Sequence, residues 1–371
     1  MRYIHQNTKW PNFTWNQEEL QFLLGTVRNL QGKLMGKMGS IGFNLKSEAL
    51  LQTLSLDVIK SSEIEGEILN AEQVRSSIAR KLRMDISGLV PSDRHTDGMV
   101  DMMLDATQNF SETLTKKRLF AWHAALFPLG KSSMYDITVA KWRNDLTGPM
   151  QVISGAMGKE KVHFEAPDSA LLEKEMSRFI TWFNKEKKLD PVIKAAVVHL
   201  WFITIHPFDD GNGRIARALT DMLLARSDNS SQRFYSMSAQ IRIERKMYYD
   251  VLEKTQKSNL DITNWLQWFL KCMLNALNNT DSAFNKIILK AKFWKKYETT
   301  NFNDRQKLLI NKLLDGFDGK LSSSKWAKIA KCSADTALRD IQDLINKGVL
   351  KKDGAGGRST NYELNADNFT D

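Results

Sequence analysis

The stretch PVIKAAVVHLWFITIHPFDDGNGRIARALTDMLLAR, residues 191–226, contains two apolar segments separated by a short polar loop. The first segment is apolar almost all round, which predicts a helix buried in the centre of a domain. A proline and two glycines then break the helical period, which resumes at Ile215. The sequence therefore predicts a loop between two buried helices, and such loops often carry functional side chains.

The loop contains groups that favour an anionic ligand. Gly211 and Gly213 allow a close backbone approach at the start of the second helix, where unpaired amides attract anions. Arg214 and Arg217 lie three positions apart, so two guanidinium groups adjoin the same site. Two arginines there predict a ligand with several phosphate oxygens.

Two further side chains complete a chemical site. His206 is the only good proton acceptor in the loop, and Asp210 offers the hard oxygen ligand that Mg²⁺ commonly takes beside nucleotide phosphates. With the phosphate-binding groups they predict phosphoryl or nucleotidyl transfer to a hydroxyl. Two alternatives stay open. In the first, the loop is a simple turn between helices and its histidine has a structural role. In the second, His199, His206 and Asp210 bind zinc, although the usual His-Glu-x-x-His spacing is missing.

The loop resembles the signature of the Fic family, His-x-Phe-x-Asp/Glu-Gly-Asn-Gly-Arg-x-x-Arg, and residues 206–217 match every specified position. The resemblance covers residues 116–226 as a mostly helical catalytic core and extends upstream over the N-terminal helices. It implies an enzyme that moves AMP from ATP to a Ser, Thr or Tyr hydroxyl of a protein and releases pyrophosphate. Some relatives move phosphate or phosphocholine, so the transferred group stays open.

The resemblance also implies roles for single residues. His206 is the expected base, Asp210 the expected Mg²⁺ ligand, and Phe208 a structural anchor. Asn212, with the neighbouring amides, is expected to form an anion hole, and Arg217 to grip the γ-phosphate of ATP. The expected nucleotide-binding residues are Asp209, Gly211, Asn212, Gly213, Arg214 and Arg217.

The segment SSEIEGE, residues 61–67, places three carboxylates at alternate positions. From the residues alone, Ser62 and Glu65 have the spacing of a capping box that would begin a helix, whereas Gly66 could end the preceding one. Residues 61–66 also resemble an inhibitory motif of the Fic family, Ser/Thr-x-x-x-Glu-Gly/Asn.

That resemblance implies a contact between the segment and the catalytic loop. Glu65 is expected to pair bidentately with Arg217 and to occupy the place of the γ-phosphate. Ser61 is expected to add a hydrogen bond on the phosphate side, and Gly66 completes the motif. Glu63 and Glu67 are expected to be solvated elsewhere.

Residues 141–167 predict a β-hairpin, since MQVIS and KVHFE flank the turn-forming GAMGKE. This is the only clear hairpin in the sequence. By position, residues 150–164 resemble the flap of the Fic family, which holds a target by strand addition. The expected flap residues are Val152, Val162, His163 and Phe164.

The rest of the chain predicts a mainly α fold. Apolar residues recur at helical spacing over residues 16–30, 46–60, 99–110, 116–128, 169–188 and 262–297, and a loop is expected over residues 82–98. The predicted domains are an N-terminal helical region over residues 1–114, a catalytic core over 115–275, a linker helix over 276–300, and a winged-helix domain over 301–371.

The tail is basic. Residues 320–358 contain nine Lys or Arg and four Asp, which gives half of the net charge of +10. The pattern of helix, turn, helix and glycine-tipped hairpin resembles a winged helix, so DNA contact through residues 320–358 and protein docking both stay open. The groups expected to meet DNA are Thr336, Arg339, Gln342 and, in the wing, Arg358. Those expected to oppose it are Asp335, Asp340 and Asp343.

Composition limits the remaining choices. The two cysteines, Cys272 and Cys332, do not form a disulfide framework. In this sequence of 371 residues, no segment is apolar and uncharged over the length needed to span a membrane. We expect a cytoplasmic enzyme that uses ATP and Mg²⁺ and acts on a protein hydroxyl. Self-modification, a homodimer, and an alternative function as a DNA-binding regulator that senses nucleotide stay open.

Overall fold

The computed structural model describes residues 3–39, 43–84, 89–132, 135–146, 148–155, 159, 161–314, 317, 319, 321–352 and 360–365, without the side chains of 43–45, 281–287 and 291. The chain divides into two compact units, Met1–Asn278 and Asn279–Asp371. It is mainly helical, as predicted. Within the described residues, no helix combines the length and apolar character needed to cross a membrane. The boundaries of the four predicted domains stay predictions.

Among the described residues of the first unit, eleven α-helices begin. They are α1 (Gln17–Gly39), α2 (Phe43–Ile64), α3 (Ala71–Lys81), α4 (Arg94–Gln108), α5 (Lys116–Leu126), α6 (Leu172–Lys185), α7 (Pro191–Ile205), α8 (Asn212–Asp228), α9 (Met237–Ile243), α10 (Arg245–Gln256) and α11 (Thr263–Lys296). The expected loop over residues 82–98 is wrong over residues 94–98, because the Asp93 side chain accepts a hydrogen bond from Thr96 N at 2.7 Å and caps α4. Residues 85–88 of the expected loop lie outside the described residues.

Helices α7 and α8 form the centre of the first unit. Every residue of α7 from Val192 to Ile205 is buried, so the predicted burial of this helix is confirmed. Pro191 occupies its first turn, and the Asp190 carboxylate accepts a hydrogen bond from Val192 N at 2.8 Å. Helix α8 is buried over most of its length and packs against α7. The loop between them is therefore fixed at both ends by the core.

Two antiparallel hairpins lie outside this helical centre. Strands β3 (Gln151–Ser154) and β4 (Lys161–Glu165) form the predicted hairpin, with Val152 opposite Phe164. Strands β1 (Lys131–Ser132) and β2 (Tyr135–Asp136) form a second hairpin, so the expectation of a single one is wrong. Two-residue strands are too short to show the alternation that predicts a strand.

Helix α2 ends in a glycine turn that shapes the segment 61–67. Gly66 has φ of 88°, its amide donates to Glu63 O at 3.2 Å, and the Glu67 amide donates to Ser62 O at 3.0 Å. These two bonds and the left-handed residue define a Schellman motif. The capping-box interpretation is therefore wrong, and Gly66 ends the helix. The last position of the motif Ser/Thr-x-x-x-Glu-Gly/Asn is Gly or Asn, and these two residues adopt the left-handed conformation most readily.

Among its described residues, the second unit adds three helices and a three-stranded sheet to the C-terminal part of α11. Its elements are α12 (Asp304–Leu314), β5 (Leu321–Ser322), α13 (Ser323–Ala330), α14 (Ala334–Asn346), β6 (Leu350–Lys352) and β7 (Asn361–Leu364), with strand order β5-β7-β6. The side chains of Leu309, Trp326, Ile341 and Leu350 are among those of its core. This element order supports the winged-helix assignment, which stays a prediction, as does DNA contact.

Two acidic residues of α14 have partners within the second unit. Asp340 is buried and accepts hydrogen bonds from Arg305 Nε at 2.8 Å and Asn303 Nδ2 at 2.9 Å. Asp343 accepts from Gln306 Nε2 at 2.8 Å and pairs with Lys347 at 2.5 Å. Both carboxylates are thus engaged by partners within the second unit, and their expected opposition to DNA stays a prediction. Asp335, Arg339 and Gln342 are exposed and Thr336 is half-buried, whereas Arg358 lies outside the described residues.

The glycine turn makes a prediction about stability. Gly66→Ala should lower the free energy of unfolding by about 1 kcal/mol, because a Cβ disfavours the left-handed conformation. No heavy atom lies within 4 Å of the added Cβ, so the cost is conformational. Gly66→Asn is the matched control and should lose less. Urea unfolding measures both, and an alanine variant as stable as the parent would contradict this role.

Candidate active site

The loop between α7 and α8 begins and ends in left-handed backbone. His206 follows α7 with φ of 51°, and Gly211 precedes α8 with φ of 80°. A Cβ on Gly211 would approach Phe127 Cε2 to 2.9 Å, so both its conformation and its surroundings require glycine. The loop therefore turns sharply, and His206 and the first turn of α8 lie at its two ends.

Asn212 closes the loop from inside. Its Oδ1 accepts a hydrogen bond from Phe208 N at 3.0 Å, and its Nδ2 donates to Phe208 O at 2.8 Å. Phe208 is fully buried and stacks on His123 with a centroid distance of 4.2 Å. Both polar atoms of the Asn212 side chain are thus used in hydrogen bonds within the loop. Any anion hole must come from the backbone amides of the first turn of α8, which have no carbonyl partner within the helix.

Two residues that hold the loop were not predicted from the sequence. His123 Nε2 donates to Asp210 O at 3.2 Å, and burial lowers its pKa to about 4, so the ring is neutral. Arg143 Nε donates to His206 O at 2.8 Å, and its backbone amide donates to Pro207 O at 2.9 Å. Both belong to other elements and carry no local motif, so no sequence signal marked them.

Asp209 also holds the loop. Its Oδ2 accepts a hydrogen bond from Thr138 N at 2.8 Å. The expected role of Asp209 in binding nucleotide therefore has no support from this geometry, because the carboxylate faces protein backbone.

His206 has one free ring nitrogen. Its Nδ1 lies 3.3 Å from Ile203 O and can donate to that carbonyl, which leaves Nε2 as the acceptor. Burial lowers the pKa of His206 to about 4, and the charge of Arg143 contributes in the same direction. The imidazole is therefore neutral near pH 7, the state that a base requires.

Asp210 offers a hard oxygen at the mouth of the loop. Its Oδ2 accepts hydrogen bonds from Ser132 Oγ at 2.5 Å and Arg214 Nη2 at 3.4 Å. One carboxylate fits Mg²⁺, which takes few protein ligands when substrate phosphates and water supply the others. The described residues contain no cluster of three or more His, Cys, Asp or Glu suited to a metal.

The zinc alternative is wrong. His199 Nδ1 lies 3.0 Å from Thr220 Oγ1, and His199 Nε2 lies 3.0 Å from Tyr248 Oη. Both ring nitrogens are thus occupied by hydroxyl groups in the core, and neither is available to a metal. His199 has the structural role that a buried histidine usually has.

Arg217 is buried and held by the segment 61–67. Its Nε donates to Ser61 Oγ at 2.8 Å and its Nη2 to Ser61 O at 2.8 Å, while Nη2 also lies 2.8 Å from Glu65 Oε1. The expected bidentate pair is wrong in detail. Nη1 has no hydrogen-bond partner among the described residues, and Ser61 supplies the other contacts. Burial is the largest single influence and lowers the pKa of Arg217. The charges of Glu65, Tyr248 and Tyr249 and the hydrogen bond to Glu65 together outweigh it, so the net shift is upward.

Arg214, the second arginine of the loop, is paired with a different carboxylate, that of Glu67. Arg214 Nη1 donates to Glu67 Oε2 at 2.7 Å, and His95 Nε2 lies 3.4 Å from the same oxygen. The expectation that Glu67 is solvated elsewhere is wrong, because the turn at Gly66 directs it back towards α8. Glu63 instead pairs with two cations outside the loop, Lys60 at 2.7 Å and Arg242 at 3.4 Å.

A buried ion-pair network fixes α2 against α8 one turn further along. Arg233 Nη2 lies 2.9 Å from Asp57 Oδ2 on α2, and Arg233 Nη1 lies 2.6 Å from Asp221 Oδ1 on α8. Ser236 Oγ also donates to Asp57 at 2.5 Å. The position of Ser61 and Glu65 at Arg217 is thus set by the core as well as by their own contacts.

The comparisons with known proteins fit this geometry. Residues 3–84 match a family described as a domain of unknown function (DUF4172), and residues 113–224 match the Fic/DOC family. The chain therefore contains a Fic/DOC domain. The loop 206–217 lies in the second match and the segment 61–67 in the first.

Two of its relatives are named protein adenylyltransferase Fic. The protein of Culex quinquefasciatus is 26% identical over 227 residues, which cover 60% of this chain and 40% of that protein. The protein of Drosophila grimshawi is 34% identical over 113 residues, which cover 30% of this chain and 21% of that protein. The matched stretches thus span less than half of either relative.

Two solved structures share the fold. A Fic family protein from Desulfovibrio desulfuricans G20 has a TM-score of 0.55 at 19% identity and covers 95% of this chain and 98% of its own. A Fic domain containing signaling protein from Bacteroides thetaiotaomicron has a TM-score of 0.50 at 20% identity, with coverage of 68% and 94%. The mainly helical Fic fold is thus shared.

The two histidines near the arginines should titrate differently. Because the pKa of His206 is lowered to about 4, its ring should stay neutral at every pH above about 5. His95 is the internal control, since its hydrogen bond to Glu67 raises its pKa above the ordinary value of 6.5. NMR titration of labelled histidine rings, assigned with His206→Gln and His95→Gln, measures both. A midpoint for His206 near 6.5 would contradict the assigned environment.

Proposed function

We propose that the protein transfers AMP from ATP to a hydroxyl group of a protein and that the segment 61–67 restrains this activity. One observation carries the proposal. Two buried arginines of a single helix, Arg214 and Arg217, are held by carboxylates, and each has one buried N–H group without a hydrogen-bond partner among the described residues. Such a pair suits a ligand with several phosphate oxygens.

The loop supplies the groups for transfer. His206 Nε2 takes the proton of the target hydroxyl, whose oxygen bonds to the α-phosphorus of ATP as the bond to pyrophosphate breaks. The first amides of α8 face the negative charge that develops on the phosphates. Asp210 would hold Mg²⁺, which neutralises phosphate charge when bound. The contacts that His123, Arg143 and Asn212 make within the loop keep these groups in place.

The restraint follows from competition for Arg217. Glu65 Oε1 lies 2.8 Å from Nη2, where a phosphate oxygen of ATP would bind. The carboxylate also adds negative charge beside the nucleotide, so ATP that does bind is expected to place its α-phosphate poorly for attack. A Cβ on Gly213 would overlap Glu65 Oε1, so the glycine permits this approach.

The hairpin β3–β4 offers an edge for a protein target. Strand β3 pairs only with β4 among the described residues, so its other edge can accept an extended peptide. The four expected flap residues differ in role. Phe164 is buried with Tyr3 and Ala166, with Val152 packed against that cluster, and His163 Nδ1 lies 2.6 Å from Glu253 Oε2. Val162 is half-buried, and these contacts anchor the hairpin and leave recognition to the β3 backbone.

Labelled ATP tests the proposal. Glu65→Gly should raise AMP transfer to the chain itself or to lysate proteins by about tenfold or more, because a carboxylate paired with a buried guanidinium is removed. The double variant with His206→Ala should show no transfer, since the base is lost. Glu63→Gly is the matched control and should leave transfer near the parental rate, because Glu63 pairs outside the loop.

Two results would reject the proposal in different ways. Equal transfer by the parent and by Glu65→Gly would reject the restraint. Binding of ATP without transfer by any variant would reject the enzyme and would favour the alternative of a regulator that senses nucleotide.

A further inference from the structure

Arg214 lies between two carboxylates. Its Nη1 donates to Glu67 Oε2 at 2.7 Å, and its Nη2 lies 3.4 Å from Asp210 Oδ2. The side chain is 1% exposed and its guanidinium lies 4.9 Å from the centroid of the Phe127 ring. Its Nε is buried without a hydrogen-bond partner among the described residues. The guanidinium is thus fixed by its ion pairs and packing, but its hydrogen-bonding capacity is incompletely used.

Glu67 has a second partner from a separate helix. His95, in the first turn of α4, places Nε2 at 3.4 Å from Glu67 Oε2. The hydrogen bond and charge of Arg214 act on the same carboxylate, and the backbone of Leu126 faces the histidine ring. Helices α4 and α8 and the turn after α2 therefore meet at Glu67. None of these contacts involves Glu65 or Arg217.

We propose that Glu67 is a second restraining carboxylate, which withholds Arg214 from the phosphates of ATP, and that His95 is the residue that positions it. This inference rests on the proposed function. A phosphate oxygen and Glu67 Oε2 compete for the same N–H group of Arg214, as Glu65 competes at Arg217. Removal of Glu65 alone therefore frees one arginine and leaves the other paired.

The turn at Gly66 explains why the two contacts coexist. Glu65 precedes the left-handed residue and Glu67 follows it, so the chain reverses between them while both side chains reach the first turns of α8. Glu63, two positions earlier and within α2, cannot do the same and pairs with Lys60 and Arg242. The alternate spacing of the three carboxylates thus yields two contacts with the arginines and one outside them.

Affinity for an ATP analogue tests Glu67 without depending on catalysis. The full chain and its Glu67→Gln, Glu65→Gly and double variants are titrated calorimetrically with α,β-methylene-ATP, which cannot donate AMP. Glu67→Gln should lower Kd about threefold to tenfold, the range expected for a partly exposed ion pair, and should do so again in the Glu65→Gly background. Glu63→Gln is the matched control and should leave Kd unchanged.

AMP transfer from labelled ATP then distinguishes whether Glu67 restrains Arg214 or holds it ready for the nucleotide. The double variant should transfer AMP faster than Glu65→Gly alone by a similar factor. If Glu67 instead holds Arg214 ready for the nucleotide, Glu67→Gln will weaken binding and slow transfer, which would overturn the inference. An unchanged Kd would overturn it too.

A double-mutant cycle tests whether His95 positions Glu67. His95→Gln should lower Kd in the parent by less than Glu67→Gln does, and it should have no effect in the Glu67→Gln background, because its partner charge is gone. Equal effects in both backgrounds would overturn the positioning role. Failure of every variant to bind the analogue would overturn this inference together with the proposed function, whereas binding that is insensitive to Glu67 would overturn this inference alone.

Discussion

The buried guanidinium of Arg217 is the constraint on which the site depends. A charge at 1% exposure must be paired, because leaving it without a partner in a protein interior costs about 3–5 kcal/mol, whereas an exposed pair is worth at most about 1 kcal/mol. Ser61 and Glu65 meet this demand from α2. Helix α2 is therefore part of the site, and a ligand that takes Arg217 must bring its own negative charge.

The loop around this arginine is rigid for reasons that are internal to the fold. Asn212 joins the two sides of the loop, Phe208 stacks on His123, and Arg143 holds the carbonyl of His206. These contacts, all within the protein, orient a neutral imidazole and the first amides of α8. The segment 61–67 is held less completely, since Glu65 and Glu67 are partly exposed. Under the proposed function, regulation would thus lie on the more accessible side of the site and catalysis on the fixed side.

Long, strongly periodic segments were predictable from the sequence. Helices α7 and α8 and the hairpin β3–β4 agree with prediction because apolar runs and turn residues specify them locally. The contact of Glu65 with Arg217 was expected from a motif rather than from physical chemistry. Glu67 was misplaced because its position depends on one left-handed glycine, and spacing alone could not show which way the chain turns after α2.

Tertiary contacts determine the rest of the site. Backbone groups of the protein bind the side chains of Asp209 and Asn212, and the expected roles of these two residues in nucleotide binding stay predictions. His123 and Arg143 act on the loop from distant parts of the chain, where a single residue gives no pattern. Asp340 likewise pairs with a residue of another helix, Arg305. Local patterns fixed the elements, and packing decided which polar groups were left for a ligand.

The most direct measurement compares the affinities of the parent and of Glu65→Gly for ATP and for AMP by calorimetry. If Glu65 occupies the place of the γ-phosphate at Arg217, the substitution should tighten binding of ATP and leave binding of AMP unchanged, because AMP has no phosphate that reaches this arginine. Equal changes for the two nucleotides, or no change for either, would contradict the account.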